Sequence, residues 1–368
     1  MANIRYIQIF VFALYMCSSL LIITTQSHGR SGLPNRHTPL FILGDSVFEA
    51  GNNDYFNTTA RANYKPYGET YFKYPTGRFS DGRQIPDFIA QYAKLPLIPP
   101  YLQPDLHDLS YGVNFASAGS GALDGTRQGL VISLKTQLSN FKIVRKSLRK
   151  KLGDEKAKSL LSRAVYFFNT GSNDYLFAFD TDPTVLGSYS QQEYVDLVIG
   201  NMTAVVEGIY KRGGRNFALL DLWPMACLPY GRGTLQKTGA CFDTITPYVT
   251  LHNKRLANAL QKLEKKLEGF RYSFISSNEF LTKRMNHPSK YGFVEGRVAC
   301  CGSGPYGGIF NCGGMKISKK YNLCKNVSEY VFFDSSHPTE RVYEQFAKKI
   351  WSGNSITAPY NLKALFEN

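Results

Sequence analysis

Five short, nearly uninterrupted apolar runs, spaced by longer amphipathic stretches, restrict this chain to very few folds. The runs cover 39–43 (PLFIL), 111–115 (YGVNF), 164–169 (AVYFFN), 216–222 (NFALLDL) and 272–275 (YSFI). Helical periodicity occupies 85–94, 134–152, 191–212, 246–267 and 338–351. Strands that are apolar at successive positions have both faces buried, as parallel sheets do when helices cover each side. The expected fold class is α/β, a three-layer α/β/α sandwich around a five-stranded parallel sheet. No fixed-period repeat appears and no Gly/Pro/Ser-rich linker divides the chain, so residues 28–368 read as a single domain. Six of the 17 prolines lie between Pro66 and Pro100, marking a loop insertion near 50–110. A cysteine-rich stretch marks a second insertion near 296–330.

In an open parallel sheet the functional crevice lies beyond the carboxyl ends of the strands. Polar clusters fall there: Gly44-Asp45-Ser46 after the first run, 114–121 (NFASAGSG) at the end of the second, and Gly171-Ser172-Asn173-Asp174 after the third. A fourth, Asp334-Ser335-Ser336-His337-Pro338, precedes the last helical segment. Ser, His and Asp are the components of an activated hydroxyl nucleophile. Ser46, on a tight turn after a buried strand, can project its hydroxyl into the crevice and turn its own N–H toward a developing oxyanion. Asp334 stands three residues before His337, where it can accept the Nδ1 proton and leave Nε2 free to deprotonate a serine. Pro338 is expected in the first turn of the final helix, which sets His337 at a helix entrance. The glycines Gly119 and Gly121 let backbone N–H groups approach closely, and Asn173 offers a side-chain amide. Each cluster alone has a structural explanation, such as a helix cap for Ser46 or an Asn-Asp turn for Asn173. Their joint order at strand ends points to acyl transfer. His107, between Asp105 and Asp108 on a Pro-rich loop, reads as a solvated residue.

Four segments carry a resemblance to a known family. They are 40–53 (LFILGDSVFEAGNN), 112–121 (GVNFASAGSG), 171–175 (GSNDY) and 331–340 (VFFDSSHPTE), similar to the four diagnostic blocks of plant-type GDSL esterase/lipases in the SGNH hydrolase superfamily. The resemblance implies a flavodoxin-like sandwich with strand order 2-1-3-4-5 and hydrolysis of lipid or other small-molecule acyl esters. It implies Ser46 as nucleophile, Asp334 and His337 as acid and base, and Gly119 and Asn173 as oxyanion donors beside the Ser46 amide, with Gly121 the alternative to Gly119. No metal and no cofactor is implied. Departures from the family pattern are Val47, where Leu is usual, and Phe48-Glu49, where Ser-Asp is common. Val47 is expected to face away from the reacting centre, and Phe48 and Glu49 to bear on which acyl group fits. No Gly-x-Ser-x-Gly elbow surrounds Ser46, which argues against the α/β-hydrolase fold. Two other readings use the same blocks: acyl transfer to a sugar or lipid hydroxyl, and a non-catalytic protein bound to a wall or membrane.

Residues 1–27 carry one charge, Arg5, before an apolar run over 7–23 and a small polar stretch, the pattern of a cleaved signal peptide. A secreted, extracellular protein is expected. With Cys17 removed, Cys227, Cys241, Cys300, Cys301, Cys312 and Cys324 remain. An even number in an oxidising compartment favours disulfides, and the spacings among the last three are too wide for a zinc knuckle. Cys227 with Cys241 is the first expected pair; the partners of the other four stay open. Asn57, Asn201 and Asn326 begin glycosylation sequons.

The chain has 43 Lys and Arg against 28 Asp and Glu, a formal charge of +15. Its densest basic run, from Lys142 to Lys158, overlaps helical spacing of Leu134, Leu138, Phe141, Val144, Leu148 and Leu152, so it reads as the solvated face of an amphipathic helix. For a secreted chain, acidic polysaccharide or an anionic membrane surface is the candidate partner, and nucleic acid is not. With 43% apolar and 19% charged residues, a disordered or collagen-like chain is excluded.

Overall fold

The apolar runs form one sheet. Strands β1 (Leu40–Gly44), β2 (Val165–Asn169), β3 (Asn216–Leu220) and β4 (Arg271–Ile275) lie side by side in parallel, and a short edge strand, Thr357–Pro359, pairs antiparallel with β4. The structure is a computed structural model describing residues 37–313 and 320–367. The expected leader, 1–27 with Cys17, lies outside the described residues. Every residue of β1, β2 and β3 is buried, because successive side chains point to opposite faces and both faces are covered.

Besides a single turn at Thr184–Gly187, the helices are α1 (Ile85–Tyr92), α2 (Leu134–Leu152), α3 (Asp154–Arg163), α4 (Ser172–Asp180), α5 (Gln191–Tyr210), α6 (Thr246–Lys266), α7 (Ser277–Asn286), α8 (Glu340–Ser352) and α9 (Leu362–Phe366). Helix α2 packs on α3 and α5, and α5 on α6; a separate group has α1 on α8 and α8 on α9. On one sheet face Phe41, Tyr166 and Phe217 stand in register with ring centroids 5.5 and 5.3 Å apart. Phe141 of α2 closes edge-on against Phe41 and Tyr166, 5.6 Å from each. The next residue along β2, Phe167, turns to the other face and meets Phe48 at 4.4 Å. Such aromatic pairs add about 0.5–1.5 kcal/mol each beyond their burial. The molecule is thus a three-layer α/β/α sandwich with a mostly parallel sheet.

Three details differ from expectation. Segment 111–115 flanks β1 on the side away from β2, which keeps the expected order 2-1-3-4-5 when this segment is counted as the second strand, but it is not a regular strand. Leu40 and Ile42 donate to the Tyr111 and Val113 carbonyls, yet bridging is confined to Asn114. Gly112 turns to a φ of 115°, and the outer neighbour of Asn114 is Pro100, which has no N–H to extend a ladder. The fifth regular strand, Thr357–Pro359, is antiparallel, and neither it nor helices α3, α4, α7 and α9 were expected. Helix α8 begins at Glu340 rather than at Pro338.

Two long stretches lie between the sheet elements, 50–110 and 296–330. The first holds α1 and irregular chain. In the second, Glu295–Ala299 pairs in parallel with Tyr330–Phe332, and Cys301–Gly302 pairs antiparallel with Asn322–Leu323. Disulfides join Cys227 to Cys241, Cys300 to Cys324 and Cys301 to Cys312. No helix among the described residues is long and apolar enough to cross a membrane.

Candidate active site

Ser46 sits one turn past β1. Gly44, at a φ of 143°, brings the chain so close to β2 that a Cβ there would lie 2.0 Å from the Asn169 carbonyl oxygen. The Asp45 amide donates to that same carbonyl at 3.1 Å, and the Asp45 carboxylate accepts from Val47 N at 3.1 Å and Asn169 Nδ2 at 2.8 Å. Burial pushes the Asp45 carboxyl up to about 7. The Gln84 amide holds the Ser46 carbonyl at 2.8 Å. These contacts aim a half-buried hydroxyl across the sheet edge, where Ser46 Oγ lies 2.8 Å from His337 Nε2.

His337 Nδ1 in turn lies 2.8 and 2.9 Å from the two Asp334 oxygens. Asp334 Oδ1 also accepts from the N–H groups of Ser336 at 2.9 Å and His337 at 2.8 Å, and Oδ2 accepts from the Tyr67 hydroxyl at 2.7 Å. Burial disfavours the Asp334 charge, but His337 and these donors outweigh it and hold the carboxyl below its ordinary value. The rigidity of His337 has a different source from the expected helix entrance. Phe333 and Asp334 donate back to the His337 carbonyl, and Pro338 bridges to Phe332, so a tight turn fixes the ring before α8 begins.

Gly119 and Asn173 face the same cavity as Ser46 and His337. Neither the Ser46 N–H nor the Gly119 N–H has an acceptor among the described residues. Asn173, in the first turn of α4, gives one amide hydrogen to the Ser120 carbonyl at 3.0 Å and keeps a second. Gly121 does not line the cavity. It packs so tightly on Asp174 that a Cβ would sit 2.3 Å from the carboxylate. Asp174 accepts from Ala122 N at 2.8 Å, Leu123 N at 3.0 Å and Thr126 Oγ1 at 2.6 Å, which ties the Gly119 loop to α4.

The cavity holds about 360 Å³. Beyond the Ser46–His337 relay its walls are largely apolar, with Leu176, Trp223, Met225, Leu228 and Phe310 among them. Two expectations about the neighbours of Ser46 are reversed. Val47 lines the cavity, whereas Phe48 packs on Phe167 beneath the turn and Glu49, with no exposure at all, accepts from Asn53 N and Ala118 N. The turn after β1 breaks the strand's alternation, and the buried Glu49 serves as a clamp joining two loops.

Several site residues went unrecognised in the sequence. Tyr67 is 267 positions from its partner Asp334. Gln137 of α2 both donates to and accepts from Gly44, at 2.9 and 2.8 Å. Asn52 and Asn53 donate to the carbonyls of Asn114, Ala116 and Ala118, knitting the first block to the second. The GNN triplet in the first block was the one local signal of this. Phe79 covers the His337 ring at 4.9 Å.

Away from the cavity, Asn57, Asn201 and Asn326 are exposed, though Asn326 also caps a short turn by accepting from Ser328 N at 3.2 Å. His107 is exposed, as expected. The basic side of α2 is partly neutralised within the chain: Arg149 pairs with Asp154 at 2.6 Å and Arg145 donates to the Arg212 carbonyl at 3.2 Å.

Residues 40–350 match the model of the GDSL-like Lipase/Acylhydrolase family. The chain is similar to GDSL esterase/lipase 2 of Arabidopsis thaliana, 50% identical over 374 residues that cover 100% of both chains. It is 53% identical over 344 residues to GDSL esterase/lipase 1 of the same plant, covering 92% of each. To the GDSL lipase of Tanacetum cinerariifolium it is 50% identical over 331 residues, 89% of this chain and 87% of that one. With a family match across most of its length and relatives this close, the chain belongs to the GDSL-like lipase/acylhydrolase family.

Proposed function

We propose that this protein is a secreted carboxylic ester hydrolase working through an acyl-enzyme on Ser46. The observation that carries the reading is the relay of 2.8 Å contacts from Ser46 Oγ through His337 to Asp334, opening on an apolar cavity. His337 Nε2 takes the Ser46 proton as Oγ attacks the ester carbonyl. The tetrahedral oxyanion receives the unused N–H groups of Ser46 and Gly119 and the second amide hydrogen of Asn173, each donor lowering the barrier by roughly 3 kcal/mol. His337 then returns the proton to the leaving alkoxide, and water enters by the same base to release the acid. Asp334 stays ionised throughout and holds the imidazole tautomer, in keeping with its lowered pKa. Because Val47 sits in the cavity wall, the GDSV variation bears directly on acyl fit, and a largely apolar lining suits acyl chains of lipid type.

Secretion rests on the leader-like sequence at 1–27 and on six cysteines joined as three disulfides. Glycans on Asn57, Asn201 and Asn326 are compatible with their exposure. The exposed lysines of α2 suit weak attraction to acidic polysaccharide or anionic membrane. Turnover of a chain-length series of chromogenic esters, with Ser46→Ala as control, tests the reading. The wild type is expected to hydrolyse the series with a length optimum, and Ser46→Ala to lose about a thousandfold or more in kcat. Equal turnover by Ser46→Ala contradicts it.

A further inference from the structure

Arg127 stands in the cavity wall beside Gly119, and none of the roles above uses it. A Cβ placed on Gly119 would lie 3.2 Å from Arg127 Cδ and 3.8 Å from its Nε, so the guanidinium stem lies against the oxyanion loop. The backbone of Arg127 is left-handed, at a φ of 49°, a conformation that an L residue adopts only under constraint. The constraint is visible: Thr126, one residue before, is hydrogen-bonded to the buried Asp174 at 2.6 Å. The guanidinium nonetheless has no acceptor and no ion-pair partner among the described residues. Acids that could serve are engaged elsewhere. Asp124 pairs with Lys135 at 3.2 Å, and Asp180 accepts from the Thr181 hydroxyl at 3.5 Å. Among the described residues, Arg127 is the one Lys or Arg side chain lining a mostly apolar cavity.

We propose that Arg127 selects esters that carry a carboxylate on their acyl or alcohol portion, by pairing with that anion inside the cavity. The inference rests on the ester-hydrolase reading above. A half-buried, uncompensated guanidinium is poorly solvated, and its planar donor fork matches a carboxylate. An ester with a carboxylate a few atoms from the scissile carbonyl fills the apolar wall and supplies the missing counter-ion together.

The test uses two matched substrate pairs on the full chain. The acyl arm compares mono-4-nitrophenyl glutarate with 4-nitrophenyl pentanoate; the alcohol arm compares 4-butyryloxybenzoate with 4-methylphenyl butyrate. In one arm the anionic-to-neutral ratio of kcat/KM is expected to fall roughly tenfold or more in Arg127→Met, further in Arg127→Glu, and less in Arg127→Lys. In the wild type alone, the same ratio should fall as salt rises from about 0.01 to about 1 M. That second measurement stands even where a variant does not fold. A ratio insensitive to both Arg127→Met and salt in both arms overturns the inference while leaving ester hydrolysis intact. Equal loss of both members of each pair also overturns it, because it makes Arg127 a general stabiliser of the oxyanion loop. A folded wild type that cleaves none of the four overturns the hydrolase reading and the inference with it.

Discussion

At the scale of single residues, the site depends on groups that hold the reacting ones. Tyr67 is buried against Phe333 and Phe79, and its hydroxyl spends its hydrogen bond on Asp334 Oδ2. Tyr67→Phe keeps the ring and removes the donor, leaving a buried carboxylate oxygen short of one partner. The expected result is a stability loss of about 1–3 kcal/mol by chemical denaturation, with kcat reduced and KM little changed. An unchanged kcat would mean that Asp334 is held well enough by its backbone donors alone. The meeting of Ser46, Asp334 and His337 was legible in the sequence because strand-end position and a three-residue spacing carry geometric meaning. Tyr67 and Gln137 were not, since nothing local distinguishes a tyrosine that reaches 267 positions along the chain. The directions of Val47 and Glu49 were misread because period-two alternation stops where β1 ends.

At the scale of elements, the proposed oxyanion side is a loop fastened to a helix. Asp174, near the start of α4, receives two backbone N–H groups and the Thr126 hydroxyl from the chain carrying Gly119, and Gly121 has room only for hydrogen. Asp174→Asn preserves volume but turns an amide N–H₂ toward a backbone donor. The predicted effect is a loss of about 1–3 kcal/mol in stability. The fall in kcat should exceed any rise in KM, because the displaced donors act on the tetrahedral state. A purely proportional change in KM would separate the Gly119 loop from the oxyanion. The four regular parallel strands were readable as apolar runs. Edge strand Thr357–Pro359 was not, because three residues ending in proline carry no periodicity and pair only where β4 offers a free edge.

For the molecule as a whole, buried carboxyls set an unusual pH dependence. Burial raises Asp45 and Asp221 to about 7 and Asp81 and Asp174 to about 6, from 3.8. Between about pH 4 and 7 the folded chain therefore holds protons that the unfolded chain has released, and stability falls as pH rises through that window. His252, buried and lowered to about 3, acts in the opposite sense below pH 6.5, but it is one group against four. Thermal unfolding should accordingly give a higher Tm near pH 5 than near pH 7.5; a Tm that climbs over this range contradicts the burial of those carboxyls as neutral acids.

The central claim is that two loops distant in the chain, one carrying Ser46 and the other Asp334 and His337, together make Ser46 a nucleophile. Fluorophosphonate labelling followed by peptide mass mapping tests this most directly. The account predicts one adduct per chain, on Ser46, formed at least about a hundredfold more slowly in a His337→Ala variant with unchanged circular dichroism. An adduct on a different serine, or none on folded wild-type protein, would contradict it.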